Sequence, residues 1–295
     1  MPPKFNPSQL KSKLRQLENQ YKQQLSKVNR AIKRAVNDYN SAVKQHNAKV
    51  LRSRSRIQSE LRKLNSSLSA RTVTTYRTSV NTLHTSYIKV AATYDTLENA
   101  TPYQEHLYSS IEQENANNLE TANVILDDVQ PNALEYSLQD TKIMNRLALI
   151  SKDLDDRWKG ALFSLNPANP DAARHFCTST REIFTEIIDS RAKDKDVFAV
   201  FPLCEKTDRG NASRRAKIKY FLHIKGLTDS SIEEFVENDI ENILELFHVL
   251  SSGTHGPSGK YSFPQLASVK KRAEDGLIFL CDIASNDFAN YDFRS

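Results

Sequence analysis

Apolar side chains recur every three or four positions along the first hundred residues, which is the spacing of an amphipathic helix. No glycine or proline occurs from Ser8 to Thr101, so both strong helix breakers are missing from this stretch. The pattern predicts a first helix from about residue 8 to about residue 69, which would be roughly 90 Å long at 1.5 Å per residue. A second helix is predicted to follow it.

The apolar stripe of the first predicted helix has two different repeats. Over its first part, steps of 4, 3 and 4 residues form three successive eleven-residue repeats, which predict a nearly straight or slightly right-handed seam. These positions are Leu10, Leu14, Leu17, Tyr21, Leu25, Val28, Ile32, Val36, Tyr39 and Val43. Beyond Val43 the spacing becomes seven residues, through Val50, Ile57 and Leu64, which favours a left-handed coiled coil.

The second predicted helix carries a stripe of the same kind, with steps of 3 and 4 residues. Its members are Val73, Tyr76, Val80, Leu83, Tyr87, Val90, Tyr94 and Leu97. A stripe this narrow needs a partner helix to cover it. The two helices pair with each other as an antiparallel hairpin, or each pairs with a second chain; a turn near residues 65–67 or 69–72 suits the hairpin, although one unbroken helix also fits.

The rest of the chain is predicted to form shorter helices. Thr101, Pro102 and Gln104 have the spacing of a helix start, and further helices are predicted on residues 132–165, 170–190, from 214, from 230, and from 264 to about 283. Residues 197–203 alone resemble a strand, and they are too isolated to build a sheet. The predicted fold class is therefore all-α, with long N-terminal coiled-coil helices followed by a compact helical domain.

Charge is distributed unevenly along this helical chain. Residues 1–90 contain 19 Lys and Arg against Glu18, Asp38 and Glu60, a net charge of +16, whereas the remainder has 22 against 33 carboxylates. Arg52, Arg54 and Arg56 in the sequence RSRSR would neutralise phosphates along an extended helix. An equally good interpretation is that the basic segment pairs with the acidic part of the same protein.

Two groups of charged residues in the C-terminal half are candidates for phosphate chemistry. Arg174, Arg181 and Glu182 share one face of a predicted helix, where they would hold a phosphate or form a structural ion network. The cations Arg214, Arg215 and Lys217 stand at a helix start, where they oppose the helix dipole. They are therefore expected to have a partner, either carboxylates or a phosphate, unless they form an ordinary solvated turn.

His255 lies between Gly253 and Gly256 at the end of a predicted helix. An imidazole there can transfer protons to or from a bound phosphate ester, and it can equally cap the free carbonyls of the helix end. The three cysteines show no C-x-x-C pair, and the fingerprints of nucleotide-binding loops, zinc proteases and serine hydrolases are missing. No metal site and no cofactor is expected.

The cellular location follows from two further features. The sequence has no apolar run of 18 or more residues, and its first residues do not form the apolar core of a signal peptide. We therefore expect a cytoplasmic protein without a membrane span.

Three blocks of the C-terminal half resemble the bacterial family called predicted pPIWI-associating nucleases, which is similar to the helical HEPN group. The blocks are WKGALFSLNPANPDAARHFCTSTREIF, RRAKIKYFL and LSSGTHG, in this order within residues 145–283. The resemblance implies a helical domain of bacterial antiviral systems with nuclease activity. HEPN ribonucleases carry R-x(4–6)-H, which would place the histidine at His255; residues 248–250 contain no arginine, so Arg174, Arg181 or Arg214 would have to supply it.

The sequence therefore predicts three regions: a basic antiparallel or oligomeric coiled coil on residues 1–100, a helical connector on 101–144 and a HEPN-like nuclease domain on 145–295. The predicted function is that of an antiviral effector that acts on RNA or DNA, with metal-independent nuclease activity as its candidate chemistry; its coiled coil forms homo-oligomers and contacts the polyanion. The alternative is a non-catalytic adaptor whose coiled coil sets the oligomeric state and which binds another protein of the defence system.

Overall fold

The structure is a computed structural model, and it describes residues 7–66, 74–97, 100–127, 138–139, 141–166, 169–252 and 261–284. These residues form helices and no strand, which confirms the predicted all-α class. The helices are α1 (Pro7–Ser66), α2 (Thr74–Asp95), α3 (Pro102–Asp127), α4 (Met144–Ile150), α5 (Lys152–Ser164), α6 (Ala172–Arg191), α7 (Asp194–Val200), α8 (Arg214–Ile224), α9 (Ser230–Ser252) and α10 (Phe263–Ala284).

The chain divides into two compact units, residues 1–52 and residues 53–295. The first unit contains most of α1. Along it, the apolar positions of the eleven-residue repeats are exposed to solvent, and we call them the α1 stripe. The α1 stripe consists of Leu14, Leu17, Tyr21, Leu25, Val28, Ile32, Val36, Tyr39 and Val43.

Charged residues border the α1 stripe at helix positions within about 100° of its centre. They are Lys13, Glu18, Lys22, Lys33 and Lys44. Four of these five side chains are cations, so the borders of the stripe are positive. Among the described residues, none of the four makes an ion pair.

The second unit contains the end of α1 and the nine other helices of the described residues. Ile57, one of the predicted seven-residue positions, is buried there, and Leu61 packs against the same core. The stripe of α2 is buried as well, from Tyr76 through Val90. It packs against α9 and α3, so its cover comes from helices that lie far away in the sequence.

Helix α3 is buried although much of its surface is polar. It packs against both α2 and α10, and its sequence begins with the predicted start, where Thr101 Oγ1 accepts a hydrogen bond from the backbone amide of Gln104 at 3.2 Å. The buried polar residues of α3 are Ser109, Glu112, Glu114, Asn115, Asn117, Asn118, Thr121 and Asn123. A buried polar side chain is tolerated when it is hydrogen-bonded, so α3 depends on partners from the surrounding helices.

The C-terminal helices differ in two places from the predicted elements. The single helix predicted on residues 132–165 is interrupted at Ser151, which is extended and whose side chain accepts a hydrogen bond from the backbone amide of Asp153. Residues 194–200 form the short helix α7, which takes in the first four residues of the strand-like segment 197–203; the other three lie in the loop after it. No helix among the described residues is both long enough and apolar enough to span a membrane.

Candidate functional site

A surface cleft of about 800 Å³ lies between the end of α7 and the start of α8, and we call it the α7–α8 cleft. It forms because the loop after α7 bends away from Phe201 and returns to α8 through Ser213, whose hydroxyl caps that helix by accepting from the amide of Ala216. The lining residues are Val200, Phe201, Pro202, Leu203, Cys204, Glu205, Arg215, Ala216, Lys219 and Glu233.

One aromatic ring and one lysine of the α7–α8 cleft lie close together. The Lys219 Nζ atom lies 5.3 Å from the centroid of the Phe201 ring, and the His223 ring meets Phe201 edge-on, with 5.2 Å between centroids. Lys206 Nζ lies 4.7 Å from the centroid of Phe198, but neither of these two residues lines the cleft. Phe201 is partly buried, and Glu205 and Glu233 also line the cleft, so its lining combines one aromatic ring with charges of both signs.

The predicted cationic cluster at the start of α8 has carboxylate partners. Arg214 contacts Glu241, and the Arg215 Nε atom lies 3.5 Å from Glu233 Oε1 and 3.4 Å from Glu237 Oε2. Burial lowers the pKa of Arg214, while Glu237 acts in the opposite direction. Of the two partners considered for these cations, carboxylate or phosphate, the structure supplies carboxylates.

Lys217, the third member of that cluster, is buried and faces α6 and α7. Its Nζ atom donates to Asp189 Oδ1 at 2.7 Å and lies 3.1 Å from Asp194 Oδ1. A cation near a helix start interacts unfavourably with the helix dipole. Here the two carboxylates from neighbouring helices offset that interaction. The cations that line the cleft are Arg215 and Lys219; both are exposed, and Arg215 is the one with carboxylate neighbours in Glu233 and Glu237.

The candidate residues of α6 lie on its exposed surface. Arg174 contacts Asp171 at the start of the helix, and Glu182 accepts a hydrogen bond from Arg157 at 2.9 Å. Arg181 is exposed and makes no ion pair within the described part of the chain. Arg174 and Arg214 pair with different carboxylates, Asp171 and Glu241, and share no partner in that part. His255 lies outside the described residues.

The arginines of the RSRSR sequence fall on both sides of the unit boundary. Arg52 is exposed in the first unit. In the second unit Arg54 donates to Asp95 at 2.8 Å and to the Tyr108 hydroxyl at 2.9 Å, and these hydrogen bonds raise its pKa. Arg56 contacts Glu120 on α3. Arg54 and Arg56 thus pair with carboxylates of the same protein.

A buried ionic cluster that the sequence did not suggest lies where α3, α9 and α10 meet, and we call it the Arg272 cluster. Arg272 is fully buried, donates to Glu114 at 2.6 Å and also contacts Asp239. Burial raises the pKa of both carboxyl groups, and the positive charge of Arg272 counteracts this shift. Three charges at this position fix the packing of α3 against α9 and α10.

Several buried polar atoms of α2, α3, α9 and α10 have no hydrogen-bond partner. Within the described residues they include Tyr76 Oη, Arg272 Nε, both side-chain polar atoms of Asn118 and Asn242 Oδ1. The sequence signal that points to this region is the density of Glu and Asn in α3, where an apolar stripe would be expected. The Glu and Asn residues alone do not show that α3 is buried, because their burial depends on which helices pack against it.

Comparison with protein families gives one match. Residues 147–280 match the family of the predicted pPIWI-associating nucleases. The resemblance inferred from the sequence is thereby confirmed over this segment. The family segment holds α5 to α9 and most of α10, so it contains the α7–α8 cleft, Arg272 and Asp239, whereas Glu114 precedes it. No curated protein and no solved structure matches the chain.

The described residues contain no group of three or more His, Cys, Asp or Glu side chains that could hold a metal ion.

Proposed function

We propose that the protein is a nucleic-acid-acting effector of a bacterial antiviral system and that its C-terminal segment is a nuclease. The match of residues 147–280 to the predicted pPIWI-associating nucleases carries this proposal. The α7–α8 cleft supports it independently, because it offers the Phe201 ring for base stacking and the Lys219 ammonium group for phosphate within one surface depression.

In the proposed mechanism the reaction proceeds without a metal ion. The imidazole of His255 takes the proton from the attacking hydroxyl group or donates one to the leaving oxygen. A guanidinium from Arg174 or Arg181 stabilises the negative charge that develops on the phosphate. Glu182, the fourth residue assigned to this site, is held by its hydrogen bond from Arg157. Arg181 is the better candidate for the phosphate ligand, because Arg174 is already paired with Asp171.

The experiment that tests catalysis is a cleavage assay on labelled RNA, single-stranded DNA and duplex DNA, each in EDTA and with added divalent metal. We expect His255→Ala to lose cleavage by about 100-fold or more, as for a general acid or base. His248→Ala is the matched control, since His248 is an exposed histidine of α9. Equal cleavage by wild type and His255→Ala would remove His255 from the mechanism.

The contribution of the α7–α8 cleft is tested by binding of a labelled single-stranded oligonucleotide. Phe201→Ala should weaken binding by about 1–3 kcal/mol through the loss of one stacked base. Phe163→Ala is the control, because Phe163 is 78% exposed on α5 and does not line the cleft. Lys219→Ala should lower the slope of log K against log salt by about 0.7, the loss of one phosphate contact. If both phenylalanine variants bind like wild type, the cleft is not the nucleic-acid site.

A second candidate function is that of a non-catalytic adaptor. It is favoured by the carboxylate partners of Arg174, Arg214 and Arg215, which leave these arginines without free charge for a phosphate. Purified protein that cleaves none of the three nucleic acids under any metal condition, but binds a second protein of the same defence system, would select this function over the first.

A further inference from the structure

We propose that the α1 stripe binds an amphipathic helix of another protein whose own apolar stripe is bordered by Glu and Asp. The α1 stripe runs from Leu14 to Val43, about 45 Å at 1.5 Å per residue. All nine of its side chains are exposed, up to 70% for Tyr39. This interface goes beyond the proposed nuclease function and does not depend on it.

The exposure of the α1 stripe is unusual because its apolar side chains form one continuous surface. Single exposed apolar residues are common, but a continuous apolar surface on a protein marks an interaction site. The stripe of α2 has nearly the same spacing and shows the expected outcome, since its members from Tyr76 to Val90 are buried under α9 and α3. Among the described residues of the first unit, no second helix is present to cover the α1 stripe.

Charge distinguishes an acidic helix from a second copy of this chain. In a pair of helices, the residues that border the apolar seam of one helix face the residues that border the seam of the other. Their charges therefore determine which helices pair. The borders of the α1 stripe hold four cations against Glu18, and the cations are spread from Lys13 to Lys44. Two copies would therefore bring like charges together in both the parallel and the antiparallel arrangement. A helix bordered by carboxylates would place opposite charges there instead.

A polyanion such as RNA would pair with the charged borders of the α1 stripe but would not cover its apolar side chains. Phosphates would neutralise the border cations, but they would leave the nine apolar side chains in water. An acidic amphipathic helix buries the stripe and pairs the borders at the same time. The eleven-residue repeat adds a geometric condition, because a partner with a strict seven-residue repeat would drift by about 20° per heptad relative to a straight helix. The partner helix is thus expected to share the 4, 3, 4 spacing.

The test uses the full-length protein and two synthetic peptides of three eleven-residue repeats. Both peptides carry Leu and Ile at the 4, 3, 4 positions; one has Glu and the other has Lys at the border positions. Fluorescence anisotropy should show that the Glu peptide binds and the Lys peptide does not, and that added salt weakens the binding. The double variant Val28→Glu/Ile32→Glu should bind the Glu peptide at least about 30-fold more weakly, since it places charges in the centre of the interface.

The matched control is Gln23→Glu/Ser41→Glu, which adds the same charge on the opposite face of α1. It should bind within about threefold of wild type, because surface charges away from the contact act weakly. Circular dichroism verifies that both double variants keep their helical content. Sedimentation of the protein alone should give a monomer. A dimer that Val28→Glu/Ile32→Glu dissociates would assign the stripe to a second copy and overturn the proposal, as would a monomer that binds neither peptide.

Discussion

Replacing Arg272 by methionine should destabilise the second unit more than any surface substitution in the chain. Methionine keeps much of the aliphatic volume but removes the guanidinium that lies between Glu114 and Asp239. The side chains of these two residues are 5% and 1% exposed, so neither carboxylate can be solvated by water once its partner is gone. Removing one member of a buried ion network costs about 3–5 kcal/mol of the unfolding free energy.

The expected change in melting temperature follows from that loss. For a unit of this size each kcal/mol corresponds to about 2–4 °C, so Arg272→Met should lower Tm by about 6–20 °C. Arg174→Met is the control, because Arg174 is 54% exposed and its ion pair with Asp171 contributes less than about 1 kcal/mol. Thermal unfolding followed by circular dichroism measures both variants. A loss below about 1 kcal/mol for Arg272→Met would refute the reasoning.

The pH dependence of the variant gives a second measurement. Burial raises the pKa of Glu114 and Asp239 above their unfolded values, so the folded protein binds these protons more tightly and loses stability as pH rises through the folded pKa. Without Arg272 both values rise further. The stability deficit of Arg272→Met should therefore become smaller as pH falls from 7 to 5. The triple variant Arg272→Met/Glu114→Met/Asp239→Leu should recover at least half of the loss at pH 7, because it buries no charge.

Two further predictions concern α10 and the end of α8. Gly276→Ala should destabilise the protein by about 1–3 kcal/mol in urea unfolding, because its Cβ would lie 2.3 Å from Ile243 Cδ1 in a packed core. Gly160→Ala, in open space on α5, should instead stabilise by about 1 kcal/mol through helix propensity; equal effects at the two glycines would contradict the packing argument. Burial lowers the pKa of Lys225 to about 8, against an opposing effect of Asp282, so the unfolded chain binds this proton more tightly and stability should rise from about pH 8 to about pH 10.5. Lys225→Met should make that rise shallower, and identical slopes for the two proteins would exclude Lys225 as its cause.

Local spacing was sufficient to predict the long N-terminal helices. The stripe of α2 is buried as its period requires, yet the sequence could not indicate that α9 covers it, since Lys89 and its ion-pair partner Glu234 are 145 residues apart. Ile57, one position of the seven-residue pattern, is buried in the second unit, whereas the coiled coil that the pattern indicates stays a prediction. The predicted limits of the functional domains at residues 100 and 145 remain predictions, whereas the compact units meet at residue 52.

The candidate site was predicted less completely than the helices. The sequence identified the cations at the start of α8, but the carboxylates that pair with Arg215 lie on α9 and are brought there only by folding. Phe201 and Lys219 are 18 positions apart and meet because the chain turns between α7 and α8. The burial of helix α3 was not predicted for a different reason. Its buried residues are polar, which is typical of an exposed helix, and their partners belong to other helices. The role of His255 remains a prediction.

The polar helix α3 also determines how the protein can be divided. The family segment begins at residue 147, after α3 and α2, yet these two helices cover α10 and α9. A fragment made from the family limits alone would expose the apolar faces of α9 and α10 to solvent and would leave Arg272 without Glu114. The smallest fragment that can be expressed as a folded unit is therefore expected to begin at or before Ser53, about ninety residues ahead of the family boundary.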